Sequence, residues 1–231
     1  MNNITPVFVG YDAREDLAYE VCKYSLEKHS PSIEVIPLKQ QRLRHEEKYW
    51  RDTDPLSSTE FTFTRFLVPA LTNYRGWAIF CDCDFVWDGD IQEIFKQADP
   101  TKAVMVVKHN YQTKMTEKYL GAKNENYPRK NWSSVILWNC GHPANAAVTP
   151  EFIQTATGAQ VHRFTWLDDS LIGELPVEWN WLPDEFGANQ EAKLLHYTLG
   201  TPSFHDFATT PMGDEWHRER IYTDYCLQRN L

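Results

Sequence analysis

Trp77-Ala78-Ile79-Phe80-Cys81-Asp82-Cys83-Asp84-Phe85-Val86-Trp87 is the stretch on which the reading of this chain turns. An apolar run stops abruptly at two carboxylates spaced i, i+2. A short apolar run with a polar boundary reads as a buried strand, and in a strand positions i and i+2 face the same side. The strand is therefore expected to deliver Asp82 and Asp84 together at its carboxyl end, where open α/β sheets bind ligands. Two close carboxylates repel unless a cation lies between them. Oxygen ligands suit Mg²⁺ or Mn²⁺, ions that usually hold substrate phosphates as well. The alternative is a pair of solvated loop aspartates. Cys81 and Cys83 lack zinc spacing and are expected to face away from the Asp82 side.

Outward from this strand, the pattern alternates. Pro6 to Gly10 reads as a first strand, Gly10-Tyr11-Asp12 as a turn, and Arg14 to His29 as a helix with Leu17, Ala18, Val21, Cys22 and Ser25 on one face. Ile33 to Leu38 reads as a second strand. Asp54-Pro55-Leu56-Ser57 is expected to start a helix whose buried stripe is Phe63, Phe66, Leu67, Ala70 and Leu71. Beyond the Asp82 strand come a short helix, Ile91 to Gln97, and two further strands, Ala103 to Val107 and Ser133 to Trp138. Alternating β and α elements imply a largely parallel sheet with helices on both faces. Tyr111 to Asn131 is polar, lysine-rich and without a period, as functional or mobile inserts are. Thr209 to Leu231 mixes aromatic residues with charges and reads as a packing helix or an arm on a partner subunit, which leaves room for a homodimer.

The 231 residues fit one domain, with 42% hydrophobic and 24% charged residues, as in globular proteins. A net charge of −9 argues against a general nucleic-acid binder. No apolar stretch is long enough to span a bilayer, and Met1 to Pro6 does not read as a signal peptide. Five cysteines, an odd number with several inside apolar runs, fit a reduced, cytoplasmic chain.

Six motifs in order resemble the family 8 type of glycosyltransferases, enzymes of the GT-A fold, and especially its short bacterial relatives. They are Phe8-Val9-Gly10-Tyr11-Asp12-Ala13-Arg14-Glu15, Thr59-Glu60-Phe61-Thr62-Phe63-Thr64-Arg65-Phe66-Leu67-Val68-Pro69, the Asp82-x-Asp84 pair, Lys130-Asn131-Trp132-Ser133-Ser134-Val135-Ile136-Leu137, Trp166-Leu167-Asp168-Asp169-Ser170-Leu171, and Leu195-His196-Tyr197-Thr198-Leu199-Gly200. The resemblance implies a single GT-A (Rossmann-like) domain over residues 1–208, with 209–231 as a helical extension packed on it or on a partner. It implies donor contacts from Val9, Gly10, Tyr11, Asp12, Arg14, Thr59, Arg65, Asp82, Cys83, Asn131, Ser133 and Gly200. It makes Asp82, Asp84 and His196 the metal ligands and Asp168, Asp169 and Arg65 the catalytic groups. The implied reaction is metal-dependent, retaining transfer of a hexose from a UDP-sugar, UDP-glucose or UDP-galactose, to a glycan or other acceptor hydroxyl in polysaccharide assembly. Such enzymes place a lysine against the diphosphate shortly after the late histidine. Gly200-Thr201-Pro202-Ser203-Phe204-His205 has none.

Each of these residues also has a structural alternative. His196 is either a third ligand, whose imidazole favours Mn²⁺ over Mg²⁺, or a hydrogen-bonded core histidine. Arg65 either grips phosphate or sugar with its planar fork or serves as a buried ion-pair partner. Asp12 contacts base or ribose, or else caps the following helix, and Asp168 and Asp169 flank the sugar or form an N-cap. Lys108, His109, Lys114, Lys118, Lys123, Arg129 and Lys130 make either a solvated loop or a lid over an anionic ligand. Two rival functions remain: a nucleotidyltransferase that makes the sugar nucleotide, and a catalytically silent binder of sugar nucleotides or glycans. The first wants a Gly- and Lys/Arg-rich loop after the first strand, in which Gly10 to Arg14 is poor. The second would not need the two carboxylates.

Overall fold

The runs Pro6 to Gly10, Ile33 to Leu38 and Trp77 to Cys81 lie side by side as expected. In the computed structural model, which describes residues 5–52, 57–121 and 123–229, β1 (Thr5–Gly10) pairs in parallel with β2 (Ile33–Leu38) on one side and β3 (Trp77–Cys81) on the other. The helix start expected at Asp54 to Leu56 lies outside the described residues. β6 (Val135–Asn139) follows β3 in the sheet, then β5 (Val104–Val106) and β7 (Ile172–Glu174), giving six strands in the order β2-β1-β3-β6-β5-β7. All run one way except β6, which is antiparallel to both neighbours. The sheet is thus mostly parallel, and its strands are near-continuous apolar runs because both faces are covered.

A second sheet corrects the expectation for the Asp82 strand. β3 stops at Cys81; after a bend the chain restarts as β4 (Phe85–Trp87), which pairs antiparallel with β8 (Leu194–His196) in a two-stranded sheet of its own. The carboxylates do not share one strand face: Asp82 follows the large sheet and Asp84 precedes the small one.

The first helix, Asp16–His29, buries Ala18, Val21, Cys22 and Ser25 and packs against β4. The last helix, Gly213–Arg229, packs on that first helix. Lys28 Nζ meets Glu219 Oε1 at 2.7 Å, and Trp216 and Thr223 are buried in the contact. The stripe expected as one helix forms a tighter turn, Thr64–Leu67, continuing into Val68–Leu71 with Pro69 in its first turn, where the missing N–H costs nothing. All five cysteines are free thiols, four of them buried. Among the described residues no helix is long and apolar enough to cross a membrane.

Phe66, fully buried, anchors the turn that carries Arg65. It stands edge-on to Trp138, Phe164 and Trp166 with centroids 6.4, 6.3 and 6.1 Å away. Phe66→Ala empties the centre of this cluster and is expected to cost ~3–5 kcal/mol in urea unfolding. A loss below ~1 kcal/mol would show that the cluster closes over the gap.

Candidate functional site

Register builds the site. Beyond the end of β3, Asp82 still donates its N–H to Ser134 O at 2.9 Å, which keeps it on the edge of the large sheet. Asp84 O accepts from Tyr197 N at 3.0 Å, and the antiparallel pairing sets Phe85 opposite His196. The imidazole stacks on the Phe85 ring, centroids 4.3 Å apart. Asp82, Asp84 and His196 each present a ligand atom, all within 4.8 Å of one another.

The tautomer of His196 follows from its neighbours. Asn180 donates its Nδ2 to Asn131 O at 3.2 Å, which turns its Oδ1 towards His196 Nδ1 at 2.9 Å. An amide oxygen only accepts, so Nδ1 carries the proton. Nε2 faces Asp84 Oδ1 at 3.4 Å, and that oxygen makes no hydrogen bond. With a neutral ring, a lone pair would confront a carboxylate; only a proton or a cation between them relieves this. Two carboxylates and an imidazole held by a second hydrogen bond are a donor set suited to a divalent ion.

Charge around this triad is dense. Arg65 Nη1 lies 2.7 Å from Asp82 Oδ1 and donates to Ser133 O at 2.9 Å, while its guanidinium lies over the Phe61 and Phe80 rings. The ion-pair reading of Arg65 is therefore the one observed, and its partner is a member of the triad. Burial pushes the Asp82 carboxyl up to about 6 against the pull of Arg65, with the Asp84 charge adding to the rise. Burial also opposes ionisation of Asp84, but His196 and Lys118 hold its carboxyl below the usual range. Glu15, at the start of the first helix, is buried with Oε2 unpaired. Burial and then the Asp84 charge raise it to about 8. Lys118 donates to Thr198 Oγ1 at 3.3 Å. Burial lowers its pKa, while Asp84, Asp82 and Glu15 pull the other way.

A cavity of about 550 Å³ opens over the triad. Arg14, Thr59, Arg65, Asp82, Asp84, Asn131, Ser133 and His196 line it, as the sequence suggests. Val9, Gly10, Tyr11, Asp12, Cys83, Gly200, Asp168 and Asp169 are not in its lining. The reasons are local. A Cβ on Gly10 would lie 2.6 Å from the Phe61 ring, so that ring closes over the end of β1. Asp12 is fully buried, caps the turn Ala13–Glu15 through Arg14 N, grips Arg14 with both oxygens and accepts from Glu60 N. It makes the contacts of the capping alternative, and it is Arg14 that reaches the cavity. Tyr11 donates to Asp16. Cys83 is buried in the core. A Cβ on Gly200 would meet the Phe207 ring at 2.5 Å. Asp168 caps Asp169–Leu171 by accepting from Ser170 N, and Asp169 pairs with Arg129 at 2.5 Å. Arg129 in turn donates to Arg163 O, and Arg163 does line the cavity.

Glu15, Tyr119, His162, Arg163, Asn180 and Thr198 were not singled out as site residues by sequence reasoning. Glu15 carries the ordinary signature of a first-turn acid, and Asn180 acts only through His196. Lys118 stood in the lysine-rich insert, whose lid reading pointed to it without ranking it above its neighbours.

Glu15 gives the metal-free protein a pH signature. Folded, it keeps its proton up to about pH 8; unfolded, only to 4.5. Between those values the folded chain binds the extra proton at Glu15, so this residue's contribution to stability falls as pH rises, by at most ~1.4 kcal/mol per unit. Glu15→Gln is expected to flatten urea-derived stability between these limits and to exceed the wild type above them. Equal slopes would show Glu15 ionised in the folded state.

The chain matches no family model. Its fold is shared with GlyE, a glycosyltransferase of Streptococcus pneumoniae, at a TM-score of 0.65 and 14% identity over 99% of this chain; the chain spans only 64% of GlyE. The galactosyltransferase LgtC, solved with donor and acceptor sugar analogues, superposes at 0.57 and 9% identity over 94% of this chain and 95% of its own. What these chains share with ours is the α/β architecture of GT-A glycosyltransferases. Protein CDI of Arabidopsis thaliana is far nearer in sequence, 47% identical over 219 residues, which make up 92% of this chain and 85% of the relative. Identity of that degree along most of both sequences places this chain in the Protein CDI family.

Proposed function

We propose that the chain is a metal-dependent glycosyltransferase that binds a nucleotide-diphosphate sugar in the cavity over Asp82, Asp84 and His196. One observation carries this reading: His196 Nε2 and Asp84 Oδ1 face each other at 3.4 Å while Asn180 holds Nδ1. A divalent cation held between them would relieve this confrontation, and Asp82 completes the set. The mixed oxygen and nitrogen donors favour Mn²⁺. When bound, such an ion supplies Lewis-acid stabilisation of a departing diphosphate.

The chain's own residues do the rest. Arg14, Arg65, Lys118 and Arg163 bring positive charge to the lining, complementary to a diphosphate. Lys118 takes the place of the lysine missing after Gly200. Arg65 neutralises Asp82 and Glu15 keeps its proton, which allows three carboxyl groups to lie close together. Asp169 is assigned a positioning part, acting on Arg163 through Arg129. A UDP-hexose donor, UDP-glucose or UDP-galactose, and retention of anomeric configuration complete the proposal, with residues 1–208 as the transferring unit and 209–231 as its buttress on the first helix. The fold shared with GlyE and LgtC supports the class of reaction.

Calorimetry with UDP and Mn²⁺ tests the site. Asp84→Asn is expected to abolish metal-dependent UDP binding. Asn180→Ala, which frees the ring without touching a ligand, should weaken it by ~10–100-fold. Unchanged binding in Asp84→Asn would remove the triad from donor recognition. A product of inverted configuration, read by NMR, would overturn the retaining assignment while leaving the metal site standing.

A further inference from the structure

The last helix, Gly213–Arg229, is held against the first helix by one face and leaves the other uncovered. Trp216, Glu219 and Thr223 are buried in that contact, and Lys28 fixes Glu219. Asp214, Arg218, Ile221, Tyr225 and Gln228 lie on the opposite side of the helix, and all are exposed. Their spacing of four, three, four and three residues is the repeat with which helices pair along a seam. Among the described residues nine large apolar side chains are exposed, and four of them, Ile221, Tyr222, Tyr225 and Leu227, gather in this one helix. Ile221 and Tyr225, one turn apart on the seam, are 70% and 53% exposed. Apolar side chains grouped in this way mark contact surfaces, as single ones do not.

The charges of the helix point to what covers it. Apart from the buried Glu219 it carries three acids, Asp214, Glu215 and Asp224, and three bases, Arg218, Arg220 and Arg229. A chain of net charge −9 repels its own copies, and this balanced strip adds nothing to that repulsion. The order of the charges matters as much as their sum. Asp214 and Glu215 open the helix, Arg229 ends it, and Ile221 stands midway between Arg218 and Asp224. Two copies laid side by side in the same direction would set like charges level at each of these positions. Laid antiparallel about Ile221, they bring Arg218 level with the partner's Asp224 and the partner's Tyr225. Asp214 comes level with the partner's Gln228 and the partner's Arg229. Bases then meet acids or an aromatic face, and Ile221 meets the partner's Ile221.

We propose that this face pairs with a second copy of the chain in an antiparallel two-fold dimer centred on Ile221. A two-fold axis uses the same strip on both copies, so association stops at two. The 17 residues of the helix span about 25 Å. One pair of such helices covers less than the ~800 Å² per partner of a standard interface, so the dimer is a weak one with a dissociation constant in the micromolar range. None of the helix residues lines the donor cavity, which pairing therefore leaves open. The proposal stands apart from the transferase reading.

Sedimentation velocity of the whole chain across the micromolar range tests it. One chain is expected at the dilute end and two at the concentrated end, with association weakened by salt. Ile221→Glu sets two carboxylates against each other at the two-fold axis and should raise the dissociation constant by on the order of tenfold or more. The position is exposed, so the melting temperature at the dilute end should hold. Arg218→Asp and Asp224→Arg each place like charges level across the seam and should weaken pairing in the same way. Mixed in equal amounts, these two variants should pair again, because each offers the charge that the other lacks. A single-chain mass at every concentration overturns the proposal and leaves the face to a different protein. A dimer indifferent to Ile221→Glu overturns it as well, since the copies would then meet elsewhere. Wild-type dimers with no recovery in the mixture overturn the antiparallel arrangement.

Discussion

Like charges enclosed together are the constraint on which this molecule is organised. Asp82 and Asp84 are crowded together at the sheet edge with the protonated Glu15 beside them, and burial magnifies the repulsion of the two charges. The fold answers with fixed counter-groups. Arg65 is pinned on a short turn by an aromatic cluster and aimed at Asp82; Lys118 arrives from the insert; His196 is oriented by an asparagine from another segment. Burying charge in this way is expensive and does not by itself favour folding. Its presence at an otherwise apolar sheet edge is what makes the place a candidate functional site.

The parts of the fold legible in the sequence were those with enough residues to establish a pattern. Pro6 to Gly10, Ile33 to Leu38 and Trp77 to Cys81 read as strands because their apolar runs have turn or charge boundaries. β4, β7 and β8 have only three residues each, too few for any period to show. β6 was visible as a strand, but direction leaves no mark on an apolar run, so its antiparallel course could not be read. The unforeseen break after Cys81 has the same origin: Phe85-Val86-Trp87 continues the apolar character of the strand before it, and only pairing with β8 distinguishes the two.

The site was legible where chemistry and position coincide. Asp82 and Asp84 announce themselves by interrupting an apolar run, and a resemblance brought in His196 and Arg65. Asp12 and Asp168 show the opposite limit. Each precedes a helical turn and caps it by accepting from the backbone N–H two residues on, a contact that the sequence pattern suggests as readily as a ligand contact. Asn180 and Glu15 could be found only in three dimensions, since each matters through what another segment sets beside it.

The division of the two aspartates between sheets bears on the cohesion of the molecule. Asp82 belongs to the edge of the six-stranded sheet, whereas Asp84 and His196 ride on the two-stranded one. A cation held by all three is a cross-link between separate hydrogen-bonded bodies. The small sheet has few backbone bonds of its own, so it is the body that such a cross-link restrains most. A cation bound by all three residues would therefore oppose local separation of the small sheet from the large one.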